Sequence, residues 1–235
     1  MWLQNGEFLY DEERLLVAAQ DQGLMTKGFK KMARISSDDK CRFCFNYVES
    51  PSHLLSGCEI LMADGLYTAR HNKVCRYLHW KICRDKNIPV EEHVWEHEPQ
   101  PVTANDDCTI FYDKELHPGS YIPGRAIKPD IVIWNKIDKS ALIIDVCVPN
   151  DFGLNRAERE KITKYQDLKN DLRRTWQLKE ADVIPVVVGA TGMVKRNLGK
   201  YLKSIPGEPS VYEIQIAAVR GSVSILKRAL GYRAD

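Results

Sequence analysis

Two acids and two lysines lie close together in one region of this chain. Asp130 precedes the apolar run Ile131-Val-Ile-Trp134, and Asp145 interrupts a second one, Ala141-Leu-Ile-Ile-Asp145-Val-Cys-Val148. Both runs have strand length, and the polar stretch Asn135-Lys-Ile-Asp-Lys-Ser140 between them predicts a β-hairpin. A carboxylate on a strand that otherwise reads as core is costly to bury without a partner. Two of them on neighbouring strands repel each other unless a cation lies between. Carboxylate oxygens suit Mg²⁺ or Mn²⁺. An ion held by Asp130 and Asp145 would bind a phosphate oxygen and lower the pKa of a bound water. A lysine beside it would orient that water or stabilise charge building on phosphorus. The chemistry suggested is phosphodiester hydrolysis, with Lys161 and Lys164 of the following helix as the candidate lysines.

A second group is Cys41-x2-Cys44-x8-His53-x4-Cys58, a spacing that suits tetrahedral Zn²⁺. Buried thiols beside a satisfied histidine are the plainer alternative. The chain has 7 cysteines, an odd number, which argues against a disulfide framework and for metal in a reducing compartment. Four protein ligands close the site, so the zinc is structural, or it presents Arg42, Phe45 and Tyr47 to a nucleic acid.

These residues need elements to hold them. After the hairpin, residues 155–178 read as the longest helix, with Ile162, Tyr165, Leu168, Leu172 and Trp176 on one face. Lys161 falls within that face and Lys164 at its margin. A lysine there needs an anion, from Asp130, Asp145 or a substrate phosphate, or else it snorkels past the sheet edge. Ile184-Pro-Val-Val-Val188 predicts another strand, with Pro185 at its start or on an edge. Residues 194–203 and 211–230 read as helices; the first is basic, and Gly221 allows close packing in the second. Residues 60–86 read as a helix whose Arg70, His71, Asn72, Lys73, Arg76, Lys81 and Arg84 form either a phosphate-tracking stripe or a solvated face. Cys75 and Cys83 there have no metal-type spacing and read as core or groove thiols. Short strands are expected at Val94-Trp95 and Thr109–Tyr112; on the first, His93 and His97 would share a face. Loop 113–124, with Gly119 and Gly124, could move over the site. Residues 1–35 suggest short helices with too little apolar surface for a core of their own.

Hydrophobic residues at 44% and charged residues at 28% suit a globular protein, and a net charge of +2 places any basic surface locally. Glu7, Asp11, Glu12, Glu13 and Arg14 leave no signal-peptide pattern, and no apolar run approaches the ~20 residues of a membrane helix. Secretion and membrane association are therefore not expected.

Pro129-Asp130, with Asp145 as the acid of the next strand, resembles the PD-(D/E)xK nuclease motif. The motif's lysine would fall at Cys147, so the resemblance moves that role to Lys161 or Lys164 on the following helix. A wider ordered set comprises the Cys41/Cys44/His53/Cys58 group, Tyr67-Thr-Ala-Arg-His-Asn72, Lys128-Pro-Asp130 and Asp145-Val-Cys-Val-Pro149. It continues with Glu160-Lys161-x-x-Lys164-Tyr165, Ile184-Pro-Val-Val-Val-Gly189 and Ile214-Gln-x-Ala-Ala-x-x-Gly221. Together they resemble the C-terminal region of site-specific non-LTR (LINE-type) retrotransposon proteins, most of all the Dong-type lineage.

That resemblance implies an α/β restriction-endonuclease-like core, a mixed sheet flanked by helices, over residues 61–205. A CCHC zinc knuckle (36–60) and an N-terminal helical linker (1–35) precede it, and a C-terminal helix (206–235) packs on it. It implies a nuclear DNA endonuclease that nicks target DNA so that the 3′-hydroxyl primes reverse transcription, with Mg²⁺ or Mn²⁺ at Asp130 and Asp145 and structural zinc at the knuckle. Lys161, Lys164 and Tyr165 are the further catalytic residues. Arg70, His71 and Asn72, with Arg125 and Lys128 beside the first acid, are the expected DNA contacts. Target DNA, element RNA and an upstream reverse transcriptase are the implied partners. Two other readings stand: a zinc-knuckle binding module whose nuclease core is inert, and an interaction domain whose aspartates form ordinary ion pairs with Arg125, Lys128 or Lys161.

Overall fold

The computed structural model describes residues 8–116 and 127–231. Its centre is a five-stranded sheet in the order β1-β2-β3-β4-β5. The strands are β1 Val102–Ala104, β2 Cys108–Tyr112, β3 Ile131–Asn135, β4 Ser140–Cys147 and β5 Glu180–Val187. β1 to β4 pair antiparallel, and β5 joins β4 in parallel. The β3–β4 hairpin closes at the expected turn, where Asn135 and Asp138 bond each other and Lys139 takes φ 53°. Pro185 lies mid-strand in β5, but β5 is an edge strand, where a missing amide donor is tolerated.

Helices cover both faces. α5 (Leu66–Asp85), α8 (Leu198–Lys203) and α9 (Val211–Leu230) pack on one face, around Ile131, Ile133, Ile144, Val146, Ile184 and Val186. The other face carries Val132, Ala141 and Ile143 against Tyr165, Leu168 and Leu172. Alternation along the strands produces this division.

The helix expected as one piece over residues 155–178 is two, α6 (Leu154–Lys164) and α7 (Gln166–Thr175), and the longest helices are α5 and α9 at 20 residues each. The break falls at Tyr165 (φ −101°, ψ 7°), whose ring is fully buried against the sheet. Val94 and Trp95, expected in a strand, lie in a turn. His93 stacks there on the exposed Trp95, while His97 turns inward to α5, so the two histidines do not share a strand face. Loop 113–124 falls largely outside the described residues.

Four short helices complete the fold: α1 (Tyr10–Gln20), α2 (Lys27–Met32), α3 (Pro51–Ser56) and α4 (Glu59–Ala63). Leu15, Leu16 and Ala19 of α1 share one apolar cluster with the Cys/His knuckle and with Val219, Val223 and Leu226 of α9. The N-terminal segment thus buries its apolar face in common with its neighbours. Among the described residues, no helix is long and apolar enough to cross a membrane.

Candidate functional site

The knuckle is built on a short hairpin turn and the two helices after it. Lys40 bridges to Val48, Phe45 takes φ 57° at the turn, His53 lies on α3, and Cys58 caps α4. The four ligand atoms lie within 4.8 Å of one another. Cys41 Sγ is 3.9 Å from Cys58 Sγ, and Cys44 Sγ is 3.4 Å from His53 Nε2. Zn–S bonds of ~2.3 Å at tetrahedral angles place two sulfurs about 3.8 Å apart, so the group fits zinc. Burial pushes the Cys41 thiol up to about 11. For Cys44, burial is outweighed by backbone amides of Asn46 and Tyr47, and its pKa falls. Arg42 donates to the fully buried Glu49 through its amide and its guanidinium (2.6–2.9 Å), and its side chain is partly exposed. Phe45 and Tyr47 are exposed.

The acid pair sits where β4 outruns β3. Ile131 pairs with Ile144, so Asp130 and Asp145 occupy the next cross-strand positions. Beyond the end of β3, the Val146 amide donates to Asp130 Oδ2 at 2.6 Å, so the carboxylate takes the place of the next ladder acceptor. His71 Nε2 on α5 lies 3.1 Å from the same oxygen. Asp145 is 2% exposed. Tyr165 donates a short hydrogen bond to its Oδ1. Oδ2 has the Lys161 ammonium at 2.5 Å as its ion-pair partner. Lys164 donates to the Tyr165 hydroxyl at 2.9 Å. Lys161 and Tyr165 thus meet at Asp145, and Lys164 reaches it through the Tyr165 hydroxyl.

Charge follows from this packing. Burial, and next the negative charge of Asp130, raise the pKa of Asp145 against the pull of Lys161 and Tyr165. For Lys161, burial is outweighed by the Asp145 charge, and its pKa rises. His71 behaves likewise: burial opposes its charge, the Asp130 hydrogen bond and charge win, and its pKa rises. Burial raises the Cys147 thiol at the position where the motif has lysine.

The expected DNA contacts separate. Arg70 is 2% exposed, and its guanidinium donates to Ser222 Oγ (3.1 Å) and Val148 O (3.0 Å). It pins α5 to α9 and β4, and cannot reach a phosphate from there. His71 faces Asp130, Asn72 is exposed beside it at 3.2 Å, and Lys128 pairs with Asp113 at 2.7 Å on the surface. Arg125 lies outside the described residues.

Two features escaped sequence reasoning. Cys75 is one helical turn from His71, and together with Asp130 they form a second group whose ligand atoms lie within 4.8 Å; the i, i+4 spacing was visible, but the acid comes from a distant strand. His79 and His97, both buried, are 2.8 Å apart, with Glu91 2.6 Å from His97 Nδ1. The partners span a turn that no periodicity announces.

Fold and side chains together define a mixed α/β protein with a zinc-compatible Cys/His knuckle. No family model matches the chain, and no curated protein matches it.

Proposed function

We propose that this chain is a divalent-metal-dependent DNA endonuclease with a PD-(D/E)xK-like core, which nicks target DNA to supply the 3′-hydroxyl primer for reverse transcription of a non-LTR retrotransposon. One observation carries the reading. Asp145 is buried in the cross-strand position next to Asp130, and the cation that meets its Oδ2 is the Lys161 ammonium. Two hard carboxylates side by side fit Mg²⁺ or Mn²⁺, and Asp130 and Asp145 would hold the ion. When bound, it would polarise the phosphoryl group and lower the pKa of a water. The Val146 amide and His71 hold the Asp130 carboxylate, and Tyr165 holds Asp145. Lys161 supplies positive charge at the place where charge builds on phosphorus. Lys164 fixes the Tyr165 hydroxyl, and His71, Asn72 and Lys128 border the acids where a DNA backbone would pass. Action on chromosomal DNA makes the reading a nuclear one, with a reverse transcriptase supplied upstream.

The Lys161–Asp145 ion pair favours a second reading, in which the acids serve only as structural partners. Nicking of supercoiled plasmid in Mg²⁺ or Mn²⁺ separates the two. Asp130→Ala and Asp145→Ala each abolish nicking while the knuckle's zinc and melting cooperativity persist. Cleavage retained in both variants refutes the nuclease reading. A wild type that binds DNA in EDTA but never nicks it points to an inert core that positions nucleic acid.

A further inference from the structure

We propose that His71, Cys75 and Asp130 form a second transition-metal site, one that takes a thiophilic ion of the zinc class. Nothing in the nuclease reading uses Cys75. It is buried, and its Sγ lies 3.7 Å from His71 Nε2, which is itself 3.1 Å from Asp130 Oδ2. Zn–N and Zn–O bonds of ~2.0–2.1 Å and Zn–S bonds of ~2.3 Å at tetrahedral angles put such atoms about 3.3–3.6 Å apart. Two of the three separations lie near that scale, and all three donor atoms lie within 4.8 Å of one another. Two come from one turn of α5, which holds i and i+4 side chains on the same face. The third comes from the end of β3, held by the Val146 amide. Asn72 Oδ1, 3.2 Å from His71 Nδ1, can accept the proton of that nitrogen, and the ion would replace the proton that Nε2 shares with Asp130, which passes to solvent.

The donor set, one nitrogen, one sulfur and one oxygen, favours zinc over magnesium, because thiolate is soft and magnesium prefers an all-oxygen shell. On binding, Cys75 forms an S–Zn bond and its thiol proton passes to solvent. Three protein ligands leave a fourth position open. The site shares Asp130 with the proposed catalytic ion, so the two ions compete for one carboxylate. Occupied by zinc, it withdraws Asp130 from Mg²⁺. That consequence rests on the nuclease reading; the existence of the site does not.

The test counts metal on the full chain. Purified protein loaded with zinc and freed of excess is expected to hold two ions per chain, one of them at the knuckle. Cys75→Ser and, independently, His71→Gln each hold one. Two variants guard against misfolding of either. With Co²⁺ in place of zinc, the thiolate-to-cobalt absorption falls in Cys75→Ser and the knuckle's share remains. A wild type that holds a single zinc, or variants that both keep two, overturn the site. In a wild type that nicks in Mg²⁺, micromolar zinc reduces nicking, and Cys75→Ser weakens that inhibition by ~10-fold or more; equal inhibition of both overturns the competition. A chain that nicks under no condition refutes the nuclease reading, and the zinc count still decides this site.

Discussion

Replacing Lys161 by methionine keeps the apolar stem and removes the ammonium. Asp145 is then a buried carboxylate, 2% exposed, with Tyr165 as its remaining polar partner. Removing one member of a buried pair costs roughly 3–5 kcal/mol. Two features lower that figure here. The Lys161 side chain is 23% exposed, so part of its attraction is already screened by water, and Asp145 can take up a proton. We expect a loss of roughly 2–4 kcal/mol at neutral pH. At about 2–4 °C per kcal/mol for a chain of this size, Tm falls by roughly 4–16 °C. The sign of the pH dependence follows from Asp145, whose pKa is already raised, by burial first and by Asp130 second. A carboxylate with a raised folded pKa loses stability as pH rises through that value. Without Lys161 the value climbs further, so the deficit against wild type is full at mildly alkaline pH and shrinks as the medium is acidified. The assay is denaturant unfolding of Lys161→Met, Asp145→Asn and the double variant at several pH values. The double variant should recover most of the loss, because it buries neither charge alone. Strict additivity, with coupling below about 0.5 kcal/mol, would refute the reasoning.

Gly221→Ala tests the contact of α9 with α5. A Cβ there would lie 2.5 Å from Arg70 Cγ and 2.8 Å from Arg70 Cα, so the helices must part; we expect a loss of roughly 1–3 kcal/mol in chemical denaturation, and an unchanged midpoint would contradict the packing. His79 supplies a pH signature. Burial, and then the neighbouring His97, push it down from 6.5 to about 4, so the folded state favours its neutral form. Its contribution, an order of roughly 3 kcal/mol, is full above pH 6.5 and is lost as pH falls toward 4. His79→Gln should flatten that part of the stability curve, and a slope unchanged from wild type would exclude His79 as its source.

Local pattern carried a good share of this architecture. Apolar runs of strand length with a polar turn between them located the β3–β4 hairpin. The helical periodicity of residues 211–230 matches α9, which spans Val211–Leu230. Tight cysteine and histidine spacing marked the knuckle, since all four ligands lie within 18 residues and the local chain alone brings them together. Elsewhere pattern misled. The apolar face over 155–178 is continuous in sequence, so a break at Tyr165 had no local cause; it arises from burying that ring beneath β4. Val94 and Trp95 have strand-like composition but lack a neighbouring strand to pair with, and they form a turn.

The role of a charged side chain was the least legible property, because it depends on what the fold sets opposite it. Arg70 and His71 are adjacent and both basic. On α5 they point about 100° apart, which puts Arg70 under α9 and His71 against Asp130. Pattern alone set Asp130 at the head of one core strand and Asp145 within the next, and it clustered four zinc-type ligands between residues 41 and 58. The stacking of separate elements set Lys161 at Asp145, Arg70 inside the protein, Arg42 on the buried Glu49, and Cys75 beside His71 and Asp130. Periodicity records which face of an element is apolar; a long-range contact depends on how separate elements stack, and no single segment encodes that.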